Sequence, residues 1–226
     1  MCGRFSLTKD EIAINERFRT SGSEAPYIPR FNAAPGQKQA VITNQKPGII
    51  SFLKWGLVPF WSKDPAIGNK MINAKAETVD QKASFKSPFK RKRCLVISDG
   101  FFEWKKSPQG KIPHYIFIKN HELFAFAGLW ESWKKPEGEL LNTFTIITTA
   151  PNKLMSNVHN RMPVILSKED EKTWLNGEDP EELKKLLQPF DSEKMDLYPI
   201  STLVNSPRND TPEVIKPAGG QTGTLF

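Results

Sequence analysis

Cysteine and histidine are scarce in this chain, which has Cys2, Cys94 and three histidines among 226 residues. Two cysteines so far apart cannot build a disulfide framework, and no cysteine or histidine pair has the close spacing of a zinc motif. Phosphate-loop and dinucleotide-binding fingerprints are also missing, since the only adjacent glycines are Gly219 and Gly220. We therefore predict no metal and no cofactor.

Long apolar runs are absent as well. The longest candidate, LFAFAGLW, is far shorter than the roughly 18 residues that a membrane span needs. The first residues, MCGRFSLTKDEI, carry charges where a secretory signal has an apolar segment. We expect no membrane association, and a reducing, cytoplasmic location.

The composition is that of a folded, basic protein. Hydrophobic residues make up 38% and aromatic residues 11% of the chain, which excludes global disorder. Lysine and arginine outnumber aspartate and glutamate by 32 to 25, giving a net charge of +7 that attracts polyanions. We expect one domain over residues 1–217, a flexible tail over 218–226, and a monomer.

The amino-terminal half reads as short, alternating elements. A very short strand is expected from Arg4 to Leu7, followed by a helix to about Arg19 that a Thr8 to Glu11 capping box opens. FNAAPGQ has the composition of a turn, and the runs KQAVIT and GIISFLKWGLV predict a hairpin with its loop between Asn44 and Gly48.

The carboxy-terminal half supplies most of the expected core. Four strand-like runs follow one another, CLVISDGFFEW, HYIFIK, LFAFAGLWE and NTFTIITTA. Two short helices then begin at Ser167 and Asp179, and the end of the chain reads as packed loop. These patterns predict an α+β fold, with a β-rich core that is barrel-like or made of two packed sheets and with flanking short helices.

The segment between Pro59 and Lys92 reads as irregular, basic and aromatic. Such a mixture suits a groove in which lysines bind phosphates and aromatic rings stack on bases. We predict a functional surface here with Trp61 as a contact residue, whereas Trp55 is expected in the core. The residues that define this surface are Lys63, Lys70, Lys75, Lys82, Lys86, Lys90, Arg91 and Lys92 around Trp61, Phe85 and Phe89.

Cys2 stands out because of its position directly after the initiator. Cells remove Met1 when a small residue follows, and this would leave a cysteine with both a free α-amine and a thiol. The reference pKa values of these groups, about 8 and about 8.5, leave both partly nucleophilic near neutral pH. The alternative is that a small residue stands at this position by chance.

Three further residues could carry chemistry. Glu103 lies among large aromatics in DGFFEW, where burial would raise its pKa, although it could instead face outward from its strand. His159 lies in a polar loop, a common catalytic placement, whereas His114 and His121 read as ordinary residues. Asn73 could hydrogen-bond a substrate oxygen or be a turn asparagine.

Motifs along the whole chain together resemble the SRAP (SOS response-associated peptidase) family of abasic-site processing proteins, in the family's order. The resemblance covers residues 1 to about 217. The motifs are MCGRF, FNAAPG, WGLVP, INAKAET, DGFFEW, AGLW and HNRMP.

The resemblance implies a positively charged cleft that binds single-stranded DNA beside an abasic site. It implies that Cys2 is the covalent nucleophile, Glu103 and His159 the acid/base pair, and Asn73 an active-site asparagine. It also implies a pocket residue and several DNA contacts, namely Thr148 and then Asn32, Pro35, Trp61, Lys75 and Arg161. Lys75 stands where the family leads us to expect arginine, and Ser62 where some relatives have a second tryptophan; lysine keeps the charge but loses the planar, two-point grip on phosphate.

The expected chemistry is a thiazolidine crosslink between Cys2 and the abasic deoxyribose, formed after removal of Met1 and shielding the lesion from strand breakage. Two other classes stay open. A cysteine peptidase would use Cys2, His159 and Glu103 as nucleophile, base and orienting group, with self-removal of Met1 as its narrowest form. A non-catalytic single-strand binder would explain the charge and the aromatics while leaving Cys2 incidental.

Overall fold

The structure, a computed structural model, describes residues 2–219, and most of the expected tail lies outside this range. Each of the longer helices begins at a side-chain cap where one is available, as for Ser167, which accepts a hydrogen bond from the amide of Asp170. The helices are α1 (Glu11–Phe18), α2 (Ala83–Arg91), α3 (Lys168–Asn176) and α4 (Pro180–Lys185).

The strands of the described residues form two sheets. They are β1 (Phe5–Leu7), β2 (Arg30–Ala33), β3 (Lys38–Thr43), β4 (Lys46–Trp55), β5 (Asn73–Lys75), β6 (Arg93–Ser98), β7 (Gly100–Ser107), β8 (Gly110–Ile118), β9 (Phe124–Lys134), β10 (Leu140–Thr149), β11 (Met162–Pro163), β12 (Ile165–Leu166) and β13 (Met195–Pro199). One sheet has the order β13-β8-β7-β1-β2, and the other β11-β10-β4-β3-β6-β9-β12 with β5 added to β10.

The larger sheet closes into a barrel, because β10 pairs with β4 on one side and with β9 on the other. The two sheets then pack face to face. Phe5 of the smaller sheet lies with its ring centroid 5.2 Å from that of Trp55 and 5.9 Å from that of Phe126, both in the barrel. The α+β fold with a β-rich core, barrel-like and with two packed sheets, is confirmed, as is the expected burial of Trp55.

The amino-terminal strand β1 lies inside the smaller sheet rather than at its edge. It pairs with β2 on one side and with β7 on the other. The buried carboxylate of Asp99 holds it there, accepting hydrogen bonds from the hydroxyl of Ser6 at 2.5 Å and from the amide and the hydroxyl of Thr8 at 2.6 Å each. Charge-assisted hydrogen bonds of this kind are among the strongest in proteins.

Glycine is required at position 100, where β7 begins. A Cβ added there would lie 2.2 Å from the ring of Tyr115 on the neighbouring strand. The hydroxyl of Tyr115 in turn lies 3.0 Å from that of Ser6. The close approach of ring and backbone therefore connects β8 to β1 across β7.

The structure corrects the expected start of α1 and several strand limits. Asp10, not Thr8, caps the helix, accepting a hydrogen bond from the amide of Ala13 at 2.8 Å, because the hydroxyl of Thr8 is already bound to Asp99. The loop of the β3–β4 hairpin is shorter than expected, since β3 ends at Thr43 and β4 begins at Lys46. Part of FNAAPGQ pairs with β1 as strand β2, and CLVISDGFFEW is split into β6 and β7.

The segment from Pro59 to Lys92 is less irregular than expected. Its last part forms α2, whose residues Phe85, Pro88 and Phe89 recur at helical spacing and are buried. The prediction that Phe85 and Phe89 line a functional surface is therefore wrong, because a chain that bends into a helix turns this apolar stripe toward the core. The lysines of the segment remain exposed, except for half-buried Lys92.

We expect Asp99→Asn to lower the free energy of unfolding by about 2 kcal/mol, because an amide group puts an N–H against the donors of Ser6 and Thr8 in a buried site. Urea unfolding of the purified protein measures this. Asp196 is exposed and bonds only the amide of Leu197, so Asp196→Asn is the matched control. Equal stability of the two variants would contradict the role given to Asp99.

Candidate active site

The end of strand β10 is where several candidate residues meet. Parallel pairing with β5 places Ile146 opposite Asn73 and Thr148 opposite Lys75. Antiparallel pairing with β11 places Thr148 opposite Pro163, two residues after Arg161. The strand with Asn73 and Lys75 thus lies on one side of Thr148 and Pro163 lies on the other, although the two are about 90 positions apart in sequence.

Cys2 and Glu103 meet beside this point because the chain ahead of β1 continues along β7. The amide of Phe102 donates to the carbonyl of Arg4 at 3.0 Å, which extends the pairing toward the amino terminus. Cys2 is fully buried in the same hydrophobic cluster as Phe101, and partly buried Ile72 and Val158 pack against that cluster. These two are the chain neighbours of Asn73 and His159, so the segments that carry those two residues border the cluster.

Burial governs the protonation of both groups. It raises the pKa of Glu103, which is 3% exposed, to about 7. The pKa of the Cys2 thiol is raised well above its usual range, first by burial and then by the charge of Glu103. Near neutral pH, Glu103 is therefore present in both its acid and its base form, whereas the thiol keeps its proton.

The ring of His159 is oriented by the turn that follows it. The amide of Arg161 donates to Nδ1 at 3.0 Å, and an amide N–H can only donate. The carbonyl of Arg161 lies 3.2 Å from the same nitrogen, so in the neutral ring Nδ1 either accepts from the amide or donates to the carbonyl. Partial burial lowers the pKa of His159, which favours this neutral form.

Asn73 offers an acceptor to the site. Its side-chain N–H group donates to the carbonyl of Ile72 at 2.9 Å. Its Oδ1 is buried and has no hydrogen-bond partner among residues 2–219. An acceptor without a partner is costly in a folded protein, so it marks a position where a donor from a ligand or from the chain would be stabilised.

Arg161 is held by the protein itself. Its guanidinium forms a two-point ion pair with Glu77, at 2.5 Å and 3.0 Å, and also donates to the carbonyl of Thr148 at 2.6 Å. Its Nε is buried and without a hydrogen-bond partner in the described part of the chain. In the present arrangement the guanidinium is therefore used within the protein.

The expected DNA contacts fall into two groups. Pro35 and Lys75 are exposed, and Trp61 is 50% exposed, next to Phe60 at 60%. All of these are available to a strand of DNA. Thr148 is buried, and its hydroxyl donates to the carbonyl of Ala74, so it lies beneath the surface of the site.

Asn32 has no exposed surface. Its amide group donates to the carbonyls of Val204, Ser206 and Asn209 at 2.8 to 3.2 Å, and its Oδ1 accepts a hydrogen bond from Arg4 at 2.7 Å. The structure therefore gives this side chain the role of fastening the carboxy-terminal segment beside β2. A direct contact with DNA has no support from this placement.

Two residues that the sequence did not single out support the site. Arg4 donates to the carbonyls of Val204 and Asn205 as well as to Asn32, which anchors the chain just after Cys2. Glu77 binds Arg161. Both residues lie inside the motifs MCGRF and INAKAET, so the signal was their membership of those motifs.

Within residues 2–219, no group of three or more histidine, cysteine or acidic side chains is placed to hold a metal ion. In the same range no helix has the length and the apolar character needed to cross a bilayer.

Comparison with known proteins finds relatives along nearly the whole chain. A family model described as "SOS response associated peptidase (SRAP)" matches residues 1–207. Abasic site processing protein YoqW of Bacillus subtilis (strain 168) is 50% identical over 222 residues, covering 96% of this chain and 99% of that protein. Abasic site processing protein YoaM of the same organism is 44% identical, covering 95% and 97%. A crystal structure of a protein from Bacteroides thetaiotaomicron has a TM-score of 0.88 and 33% identity, covering 96% of this chain and all of that one.

We expect Glu103→Gln to stabilise the protein at alkaline but not at acidic pH. A carboxyl whose pKa rises from 4.5 to about 7 on folding weakens the fold as pH increases through that window, fully so above pH 7. The variant should therefore gain up to about 3 kcal/mol relative to the parent protein between pH 4 and pH 8. Urea unfolding across this range measures the gain.

Glu77→Gln is the control with the opposite sign. The hydrogen bond from Arg161 lowers the pKa of Glu77, so its contribution to stability is present above pH 4.5 and is lost as pH falls. This variant should become less stable than the parent as pH rises. A gain for Glu103→Gln that did not depend on pH would show that Glu103 is not held in a desolvated site.

Proposed function

The chain belongs to the SOS response-associated peptidase family, and from this we propose that it processes abasic sites in single-stranded DNA by linking Cys2 covalently to the damaged sugar. The observation that carries the proposal is that Cys2 is buried in one cluster with Phe101 and lies close enough to Glu103 for the carboxylate charge to raise the pKa of its thiol. Relatives named abasic site processing proteins, which match nearly the whole chain, support the same substrate.

The proposed chemistry starts once Met1 has been removed, because only then does Cys2 carry a free amine. An abasic deoxyribose rests mainly as a closed hemiacetal, which has no aldehyde to attack. His159 acts as the general acid that gives a proton to the ring oxygen as the ring opens. The C1′ hydroxyl gives its proton to water and becomes the aldehyde, and the imidazole takes a proton back from the solvent.

Glu103 then transfers protons while the Cys2 amine adds to the aldehyde. In its ionised form it accepts the proton that the Cys2 amine loses on adding to C1′, and in its acid form it returns a proton to the C1′ hydroxyl, which leaves as water. A pKa of about 7 suits a group that must do both near neutral pH. The product of this step is a Schiff base between the amine of Cys2 and C1′.

The thiol of Cys2 closes the ring. A positively charged Schiff base beside it favours the thiolate, which opposes the effect of burial on its pKa. Sulfur bonds to C1′, the carbon–nitrogen double bond becomes single with its electron pair left on nitrogen, and the thiol proton goes to the carboxylate of Glu103. The five-membered thiazolidine blocks the elimination that would break the strand. Asn73 assists by accepting a hydrogen bond from the amine on its free Oδ1.

Noncovalent binding rests on the exposed part of the site. Lys75 lies at the end of β5 beside Thr148, and Trp61 offers half of its ring for stacking on a base. Exposed lysines on the rest of the segment from Lys63 to Lys90 extend the positive charge. These features favour a single strand, whose bases are unpaired and open to stacking, as the substrate.

Peptidase activity is the second candidate, and the family description favours it. The same thiol, with Glu103 and His159, could cleave the bond that precedes Cys2. The buried position of Cys2 argues against large peptide substrates, so we limit this activity to the release of Met1.

We expect Cys2→Ala to abolish a stable adduct with abasic single-stranded DNA while leaving noncovalent binding within about threefold, because alanine removes the thiol and keeps the chain's charge. Denaturing electrophoresis and intact mass measure the adduct. Cys94 is equally buried but lies in β6 within the barrel, so Cys94→Ala is the matched control and should still crosslink. An adduct formed by a protein with an uncleavable amino-terminal tag would contradict the aminothiol mechanism.

We expect His159→Gln and Glu103→Gln to differ in the substrates they affect. Loss of His159 should slow crosslinking to a closed abasic site about 100- to 10,000-fold, but leave the reaction with a simple aldehyde almost unchanged, since no ring must open. Loss of Glu103 should slow both reactions. Single-turnover rates at saturating DNA or aldehyde measure this, and equal slowing of both reactions by both variants would contradict the division of roles.

A further inference from the structure

Glu77 and Arg161 form a two-point ion pair beside the end of strand β10. The carboxylate accepts from Nη1 of the guanidinium at 2.5 Å and from Nη2 at 3.0 Å, so it bonds both terminal nitrogens. Phosphate oxygens bind an arginine with the same planar, two-point geometry. Glu77 therefore occupies the donors that this arginine would offer to a phosphate.

The two partners of Arg161 are held with different firmness. On one side, Nη2 also donates to the carbonyl of Thr148 at 2.6 Å, which is part of strand β10. On the other side, the Glu77 side chain is 52% exposed, whereas that of Arg161 is 18% exposed. An exposed carboxylate leaves an ion pair for water at little cost in free energy. When Glu77 leaves, Thr148 still fixes the direction of the guanidinium, and the two donors that the carboxylate used become available.

A second cation acts on the same carboxylate. Lys75 is exposed, pairs with Thr148 in the β5–β10 register and precedes Glu77 by two residues. The pKa of Glu77 is lowered, first by the hydrogen bond from Arg161 and, as a smaller cause, by the charge of Lys75. Glu77 is therefore ionised at neutral pH. A polyanion that approaches these two cations meets a carboxylate of its own sign.

We propose that Glu77 stands in for a DNA phosphate on Arg161, and that an incoming single strand must displace it. The displacement lowers the affinity for undamaged DNA, because the strand gains Arg161 only by breaking a contact that already exists. A covalent bond to an abasic sugar does not depend on Arg161, so a damaged strand is retained while an undamaged one is released. Glu77 is thus a specificity-determining residue. The inference rests on the proposed function for its substrate, single-stranded DNA.

The first test measures noncovalent binding of a labelled, undamaged oligothymidylate at physiological salt, where distant charges are screened. Glu77→Gln should bind about tenfold more tightly than the parent protein, since freeing Arg161 adds the equivalent of one charge-assisted hydrogen bond. Glu122→Gln is the matched control, because Glu122 is 44% exposed and pairs with Lys168 at 2.8 Å. Unchanged or weaker binding by Glu77→Gln would overturn the proposal.

A double-mutant cycle separates displacement from simple repulsion of DNA by a negative charge. In the Arg161→Gln background there is no arginine to free, so Glu77→Gln should tighten binding by less than about threefold. Equal tightening in both backgrounds would show that Glu77 only repels DNA, and the proposal would then be wrong.

The second test uses the unsubstituted protein, so it does not depend on how stable a variant is. Nitrogen-15 labelling of arginine gives a side-chain signal for Arg161, which is identified by its absence in Arg161→Gln. We expect oligothymidylate to shift this signal as phosphate replaces Glu77, and a strand of the same length with uncharged methylphosphonate linkages to leave it in place. A signal that does not respond to the charged strand, or that moves equally with both strands, would overturn the proposal.

These outcomes are distinct from those of the crosslinking experiments. A protein that meets both tests but forms no adduct with abasic DNA would count against the proposed function and leave the role of Glu77 standing. A protein that crosslinks through Cys2, while Glu77→Gln binds the undamaged strand as the parent does, would retain the proposed function and refute the role of Glu77.

Discussion

The site depends on the pairing of the first residues of the chain inside a sheet. Chain ends usually fray unless they are tied to neighbouring elements. Here β1 has a partner on each side, Asp99 binds its hydroxyls, and Arg4 is fastened to the carbonyls of Val204 and Asn205. A nucleophile at position 2 would have no fixed location without these contacts. With them, Cys2 lies beside a strand that carries a buried carboxylate.

Burial of the Glu103 carboxylate lowers the free energy of unfolding, and the raised pKa that comes with it is what the proposed proton transfers require. A buried carboxyl loses hydration, so its charged form is destabilised and its pKa rises to about 7. The same environment holds the thiol of Cys2 in its protonated form. In the reaction we propose, the thiol of Cys2 stays uncharged until an abasic sugar provides a positive Schiff base, while Glu103 stays able to take up and return protons. The residue on which the proposed chemistry depends is therefore one that makes the folded protein less stable.

The remaining groups converge on strand β10, which has β5 on one side and β11 on the other near Thr148. This arrangement joins an acceptor on Asn73, an exposed cation on Lys75 and an oriented ring on His159. It also separates roles that the sequence resemblance placed together: Lys75 and Trp61 face outward, whereas Asn32 and Arg161 are bound to other parts of the chain. The residues that are available to DNA therefore differ from the residues that build the site.

The sequence by itself determined the local elements and the chemistry of single residues. Alternating apolar runs predicted the strands of the barrel, Ser167 and Asp179 marked helix starts, and the surroundings of Glu103 indicated a raised pKa, because each of these follows from neighbours along the chain. It did not determine that α2 buries Phe85 and Phe89, that Asp10 replaces Thr8 as a cap, or that Asn32 is internal. Only the tertiary structure decided these points, and also the contacts from Glu77 through Arg161 to His159. A side chain chooses its partner among all groups that folding brings within reach. For the hydroxyl of Thr8, the side-chain amide nitrogen of Asn32 and the carboxylate of Glu77, those partners lie 84 or more positions away.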